Sequence, residues 1–373
     1  MFTRRVIRVA ILVALTTALL ASLGTVQAQE EKPPALEGTI VFRDAKALSD
    51  SLAIDLVDVP APAAGTQYEG WLLEGATKLS IGELQRQVVQ GGIVFTYVEP
   101  ASGNLAAKYS GFQITIKPSG DVAYSDTIPA AGMAHVRHLL SAWDTNPDKK
   151  GIAVGLRQQT ALAMTHAQLA AKATTLADVK QHAEHVVNII EGSKGANFGD
   201  KDGNGTVENP GDGRGVLGYA DDAIAHAGLT AKAVPDRALI VGNSKRVIDS
   251  ATNVKDWAGG ARDNALLAIQ QTNLSLATIF ISNAAQSLTW AATGRDADGS
   301  GVIDGIPGEG GAQTAYTSAQ DMGSFSLKKG KEGLPTTPVT GDLAVPQLAL
   351  YALLAGAALT TLGLLMLRRR RVA

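Results

Sequence analysis

The sequence contains no cysteine. That excludes disulfides, zinc–cysteine sites, iron–sulfur clusters, thioether-linked haem and thiol catalysis. Aromatic residues make up only 5% of the chain, and charge of neither sign dominates: 33 basic side chains face 35 acidic ones, for a formal net charge of −2. This balance excludes a generally basic nucleic-acid binder. There is no Gly-x-x-x-x-Gly-Lys-[Ser/Thr] phosphate loop, no Gly-x-Ser-x-Gly nucleophile elbow and no His-Glu-x-x-His motif. Gly213-Arg214-Gly215-Val216-Leu217-Gly218 has the spacing of a dinucleotide loop, but it follows an Asp-rich segment instead of a strand. No catalytic residues emerge, and the expectation is a non-enzymatic protein.

The 373 residues, with 45% hydrophobic side chains and 40 glycines, suffice for two globular domains. Both ends carry addresses. Residues 1–28 read as a signal peptide, with Arg4, Arg5 and Arg8, then a short apolar stretch, then Val26-Gln27-Ala28 as a small-x-small cleavage site. Residues 29–36 form a lead-in. Near the C-terminus, 343–367 read as a single transmembrane helix. Its segment from Leu348 to Leu367 is free of charge and matches a hydrocarbon core about 30 Å thick. Residues 368–373 follow as a basic cytoplasmic tail, and 326–342 as a stalk. The expected topology is an exported body retained at the membrane. Setting aside the seven arginines of the two ends leaves residues 29–367 with a charge of −9.

Leu334-Pro335-Thr336-Thr337-Pro338-Val339-Thr340-Gly341-Asp342, followed by an apolar helix and arginines, resembles a degenerate sortase-type sorting signal, which implies anchoring to the cell wall.

Residues 37–120 show short β-rich runs divided by turn residues. The expected strands are 38–42, 52–59, 67–73, 79–85, 93–98 and 112–116, packed as an antiparallel β-sandwich. Within them, Gly65-Thr66-Gln67-Tyr68-Glu69-Gly70-Trp71-Leu72-Leu73 and Ser80-Ile81-Gly82-Glu83-Leu84 resemble the extracytoplasmic C-terminal domain of anti-sigma-K factors. The resemblance covers roughly 80 residues and implies a small sandwich and a role in envelope signalling. A signal peptide stands where that family carries its sigma-binding domain.

Between 128 and 325 the period becomes helical, with helices expected at 130–143, 152–173, 176–191, 219–227, 236–250, 261–292 and 313–321. Thr175 is an expected cap and Gly192 an expected stop for the third. The fold class is therefore α+β and multidomain: an N-terminal antiparallel β-sandwich, an all-α helical bundle, and a C-terminal transmembrane helix.

Two segments of the helical half, 200–212 and 296–309, resemble EF-hand or dockerin-like calcium loops. The first supplies Asp200, Asp202, Asn204, Thr206 and Glu208, and the second Asp296, Asp298, Ser300, Val302 and Asp304. Oxygens at positions 1, 3 and 5 suit a hard cation, glycine at 6 permits the turn, position 7 offers its carbonyl, and Val207 or Ile303 at 8 anchors the loop. Position 12, normally a bidentate glutamate, holds Gly211 or Pro307, so Asp212 and Glu309 are the expected substitutes. Calcium here would act as a staple in a chain without disulfides.

All six histidines lie in this half: His135 and His138, His166, His182 and His185, and His226. An i, i+3 pair projects from one helical face, so two such helices could bring four imidazoles together. That set suits zinc, copper or a similar transition metal. Bis-His haem, or a His/Met site using Met133 or Met164, is a further option.

Three functions follow as expectations. The first is a membrane-anchored calcium-binding module at the cell surface, meeting the membrane and a cell-envelope protein or polymer. The second is an extracytoplasmic metal- or haem-binding bundle for metal handling or electron transfer. The third is envelope signalling of the anti-sigma type.

Overall fold

The computed structural model describes residues 36–87 and 91–334. The signal-like segment, the sorting-like motif beyond Leu334 and the apolar C-terminal stretch lie outside them. Among the described residues no helix is long and apolar enough to cross a membrane.

Alternation of Val, Ile, Leu and Phe with polar residues makes the strands one-sided, which is what a sheet covering a core requires. Strands β1 (Gly38–Arg43), β2 (Ser51–Leu56) and β5 (Ile93–Val98) form a three-stranded antiparallel sheet in the order β1-β2-β5. A second sheet, also antiparallel, runs β4-β3-β6-β7-β8 from β3 (Gln67–Glu74), β4 (Thr77–Leu84), β6 (Gly111–Lys117), β7 (Asp121–Thr127) and β8 (Lys328–Lys329). A one-turn helix, α1 (Leu105–Lys108), precedes β6. The helical half comprises α2 (Ala130–Leu140), α3 (Ile152–Lys172), α4 (Leu176–Glu191), α5 (Val216–Ala233), α6 (Ala238–Gln270), α7 (Leu274–Thr293) and α8 (Ala312–Asp321).

The sheets and helices share one continuous core up to Gly333. Phe325, just past α8, inserts between Phe42 and Phe112 with ring centroids 5.8 and 6.0 Å away. The chain then pairs β8 with β7, so its last described residues close the sheet that its first hundred began. Polar ties cross the same boundary. Asp126 is fully buried and accepts from Arg237 Nη1 and from the Ser326 amide, both at 2.7 Å. Asp44 accepts from the Tyr316 hydroxyl and from Gln320 Nε2, again at 2.7 Å.

Several expected boundaries move. The strand β7 and the short β8 were not expected. Helices expected at 236–250 and 261–292 are instead 238–270 and 274–293: α6 runs through Gly259-Gly260 because Ala258 and Ala261 bury on either side, and tertiary packing outweighs glycine's poor helix propensity. The break falls where Asn273 caps α7 by accepting from the Leu276 amide at 3.2 Å. Alanine is the commonest residue on the buried faces of α3, α5, α6 and α7, which lets helix axes approach closely. At the α3–α5 crossing a Cβ on Gly155 would lie 2.1 Å from Cε1 of Tyr219, so only glycine fits there.

Candidate metal centres

The histidine pairs do not meet each other. His135 and His138 of α2 close on His226 of α5, while His182 and His185 of α4 close on His166 of α3. The expected cluster of four is replaced by two clusters of three. In the first, His226 Nδ1 lies 3.1 Å from His135 Nδ1 and 3.3 Å from His138 Nδ1. In the second, His166 Nδ1 lies 3.3 Å from His182 Nδ1 and 3.1 Å from His185 Nδ1.

These distances have a chemical meaning. A neutral imidazole nitrogen is a donor or an acceptor, so three converging Nδ1 atoms cannot satisfy one another by hydrogen bonding. Three nitrogens held about 2.0–2.1 Å from a tetrahedral zinc ion stand about 3.3–3.4 Å apart, close to the spacing observed. The same nitrogens would have to be neutral to ligate, and the fold arranges that. Burial, reinforced by the neighbouring rings His185 and His182, pushes His166 down to about 4. Burial, with His138 and His135 adding to it, does the same to His226, again to about 4. His138 and His182 are lowered as well, first by burial.

The two surroundings differ. Trp143 stacks against the first cluster, its ring centroid 4.4 Å from that of His138 and 4.6 Å from that of His226. In the second cluster, His185 Nε2 lies 3.4 Å from Glu208 Oε2.

Neither cluster fits haem. The three rings close on a single point, with centroids 4.8–5.6 Å apart, and leave no gap for a macrocycle between two axial ligands. Met133 is buried in the core, and Met164 packs against it.

The acidic loops are built alike. Asp200 and Asp296, at position 1, each accept from the amides at positions 4 and 6, at 2.7–2.9 Å. Each loop also wraps a buried glutamate. Glu184 accepts from the amides of Lys201, Asp202 and Glu208 at 2.7, 3.1 and 2.8 Å. Glu309 accepts from those of Ala297, Asp298 and Asp304, each at 3.2 Å. These are positions 2, 3 and 9 in both. A buried asparagine ties each loop to a helix: Asn188 holds Gly199 and Glu208, and Asn253 holds Ile306, Gly308 and Gly310.

Carboxylate oxygens of Glu184, Asp200 and Asp202 lie within 4.8 Å of one another, as do those of Asp296, Asp298 and Glu309. Burial, together with the charges of Glu184, Asp200 and Glu208, raises the Asp202 carboxyl; its neighbours favour a cation or a proton there. Hydrogen bonds from Ser300 lower Asp298 instead.

Four expected ligands sit differently. Asp212 accepts from the Tyr219 hydroxyl at 2.8 Å and lies 3.3 Å from Lys150 Nζ, outside the first acidic group, where Glu184 stands in its place. Glu208 turns its carboxylate to Gln181 and His185. The position-8 residues Val207 and Ile303 are exposed, although Ile303 still packs against Gly294. Asn204 and Ser300 spend their side-chain oxygens on local amides, accepting from Thr206 and Val302.

A repeat in the sequence underlies the histidine clusters. His166-Ala-Gln-Leu-Ala-Ala-Lys-Ala173 in α3 and His226-Ala-Gly-Leu-Thr-Ala-Lys-Ala233 in α5 match at six of eight positions. The same register of α3 and α5 is buried: Leu156 with Val216, Gln159 with Tyr219, Thr160 with Ala220, Ala163 with Ala223, Ala167 with Ala227, and Ala170 with Thr230. Each repeat is two successive helices, His-x-x-His on the first and a single histidine on the second. Because α2 packs on α5 and α3 on α4, each His-x-x-His pair takes the single histidine of the other repeat. Neither a family model, a curated protein nor a solved structure significantly matches the chain, so the likenesses to anti-sigma-K factors and EF-hand loops gain nothing from relatives.

Proposed function

We propose that the protein handles transition metal at the cell envelope, holding two ions of the zinc or copper class in two three-histidine centres. The observation that carries this reading is one Nδ1 atom lying 3.1 and 3.3 Å from the Nδ1 atoms of a His-x-x-His pair, found twice. Hydrogen bonding within the protein does not account for that arrangement, and the depressed basicity of His166 and His226 keeps the ligands available at neutral pH. Three imidazoles leave a fourth position for water, a small ligand or a delivering partner.

The acidic loops belong to the same reading as calcium staples. Each has carboxylates on one side and a buried glutamate on the other, and together they brace the α4–α5 and α7–α8 connections. A calcium-braced binding module is the second reading, favoured by the equal construction of the two loops. Export rests on the signal-like residues 1–28, and retention on the apolar segment and arginines that end the sequence. The membrane and an envelope protein or polymer are its proposed partners.

Elemental analysis of the protein purified without metal-affinity steps tests the main reading. Co-purifying zinc or copper is expected. If none co-purifies, and added Zn²⁺ or Cu²⁺ changes neither the melting temperature nor the histidine NMR signals, the reading fails.

A further inference from the structure

The two repeats have matching histidines but different connections. Residues 141–151 join α2 to α3, whereas residues 192–215, a connection more than twice as long, join α4 to α5 and contain the first acidic loop. This longer connection delivers Glu208 to the second centre. Helix α4 holds Glu208 from three sides: Glu184 accepts from its amide at 2.8 Å, Asn188 Nδ2 donates to its carbonyl at 2.8 Å, and Gln181 Nε2 donates to its Oε1 at 3.1 Å. The remaining oxygen, Oε2, is a buried acceptor without a hydrogen-bond partner, and it faces His185 Nε2 at 3.4 Å.

We propose that Glu208 is the positioning carboxylate of the His166/His182/His185 centre, making it the tighter of the two divalent-metal sites. This inference rests on the three-histidine groups being metal centres.

Two effects support it. Ligation through Nδ1 requires the Nε2–H tautomer, and a carboxylate opposite Nε2 selects that tautomer and fixes the ring. A negative charge one imidazole away from a dipositive ion also offsets charge in a partly dry site. The first centre has no matching contact among the described residues. Its nearby acids are already engaged: Asp144 lies 3.4 Å from Lys149 Nζ, and Asp222 pairs with Arg214. Its wall is instead the indole of Trp143. Asp178, also near the second centre, accepts from the hydroxyl of Thr175, the N-cap of α4, at 2.7 Å.

The test uses two single-centre proteins. His226→Ala leaves the Glu208-backed centre, and His166→Ala leaves the other. Zinc affinity is read by competition with a chromogenic chelator. Adding Glu208→Ala to the first is expected to weaken zinc binding about 10–100-fold, and adding it to the second to change nothing, which also reports that the variant folds. Glu208→Gln, whose amide oxygen still accepts from Nε2–H, recovers part of the loss. Imidazole ¹⁵N shifts should show His185 as the Nε2–H tautomer in the parent and as a mixture in Glu208→Ala. An affinity within twofold of the parent, or equal weakening of both centres, overturns the proposal. Zinc binding by neither single-centre protein overturns the underlying metal reading, a result distinct from either of those.

Discussion

His166 and His226 occupy the same position in two copies of one octapeptide, yet each completes the histidine pair of the other repeat. An ion in either centre therefore ties one repeat to the other, and the exchange is directly open to substitution.

The exchange makes a prediction for Trp143, which lies against His138 and His226 of the first centre. Cu²⁺ should quench its fluorescence by occupying the first centre. Quenching is expected to survive His166→Ala and to vanish in His226→Ala, although the two histidines are sequence equivalents. Measurement in a background where Trp71, Trp257 and Trp290 are phenylalanine isolates the signal.

Acid should weaken the metal-free fold. His166 and His226 are held neutral down to about 4 in the native state, whereas an unfolded imidazole protonates near pH 6.5. Between these values the unfolded chain binds more protons, so stability falls as pH drops from about 6.5 toward 4 and is intact above that window. Urea midpoints at pH 7.5 and 5 should differ, and the difference should shrink in His166→Ala and His226→Ala. Protons compete for the same nitrogens, so bound metal should be released over the same range.

The loops predict a calcium effect. Chelation by EGTA is expected to lower the melting temperature, and an unchanged temperature would remove calcium from the account. Glu184→Ala and Glu309→Ala each leave three loop amides without their acceptor. Each orphaned donor that stays buried costs about 1–3 kcal/mol, so both variants should lose stability and no longer respond to calcium.

At the sheet–helix boundary, Asp126→Ala strands Arg237, whose side chain is 18% exposed and also donates to the Thr127 carbonyl at 2.6 Å. Breaking a buried pair on one side typically costs about 3–5 kcal/mol. Urea unfolding should show that loss as one transition, because the sheets and helices share a core.

What was legible in the sequence follows from how local each cause is. Helix α4 has the bounds expected from its cap and stop: Thr175 Oγ1 accepts from the Asp178 amide at 3.1 Å, and Gly192 sits at φ 70°. The alternating strands were legible, whereas β7, with Ser125, Asp126 and Thr127 in a polar run, was not; its burial comes from Arg237 and Ser326, distant in sequence. Histidine spacing indicates which face of a helix carries a ligand but not which helix lies opposite. The octapeptide repeat, with its single histidines at matching positions, was the signal for the third ligand. For the missing acid of the first loop the sequence points downstream to Asp212, whereas Glu184, on the helix before the loop, stands beside Asp200 and Asp202.

The central claim is that two separate three-histidine centres hold metal. Zinc titration of the protein followed by X-ray absorption tests it most directly. Two equivalents are expected, each with about three nitrogen neighbours near 2.0–2.1 Å, falling to one equivalent in His166→Ala or His226→Ala and to none in the double variant. Zinc held mainly by oxygen ligands, or a stoichiometry indifferent to both substitutions, would contradict the account.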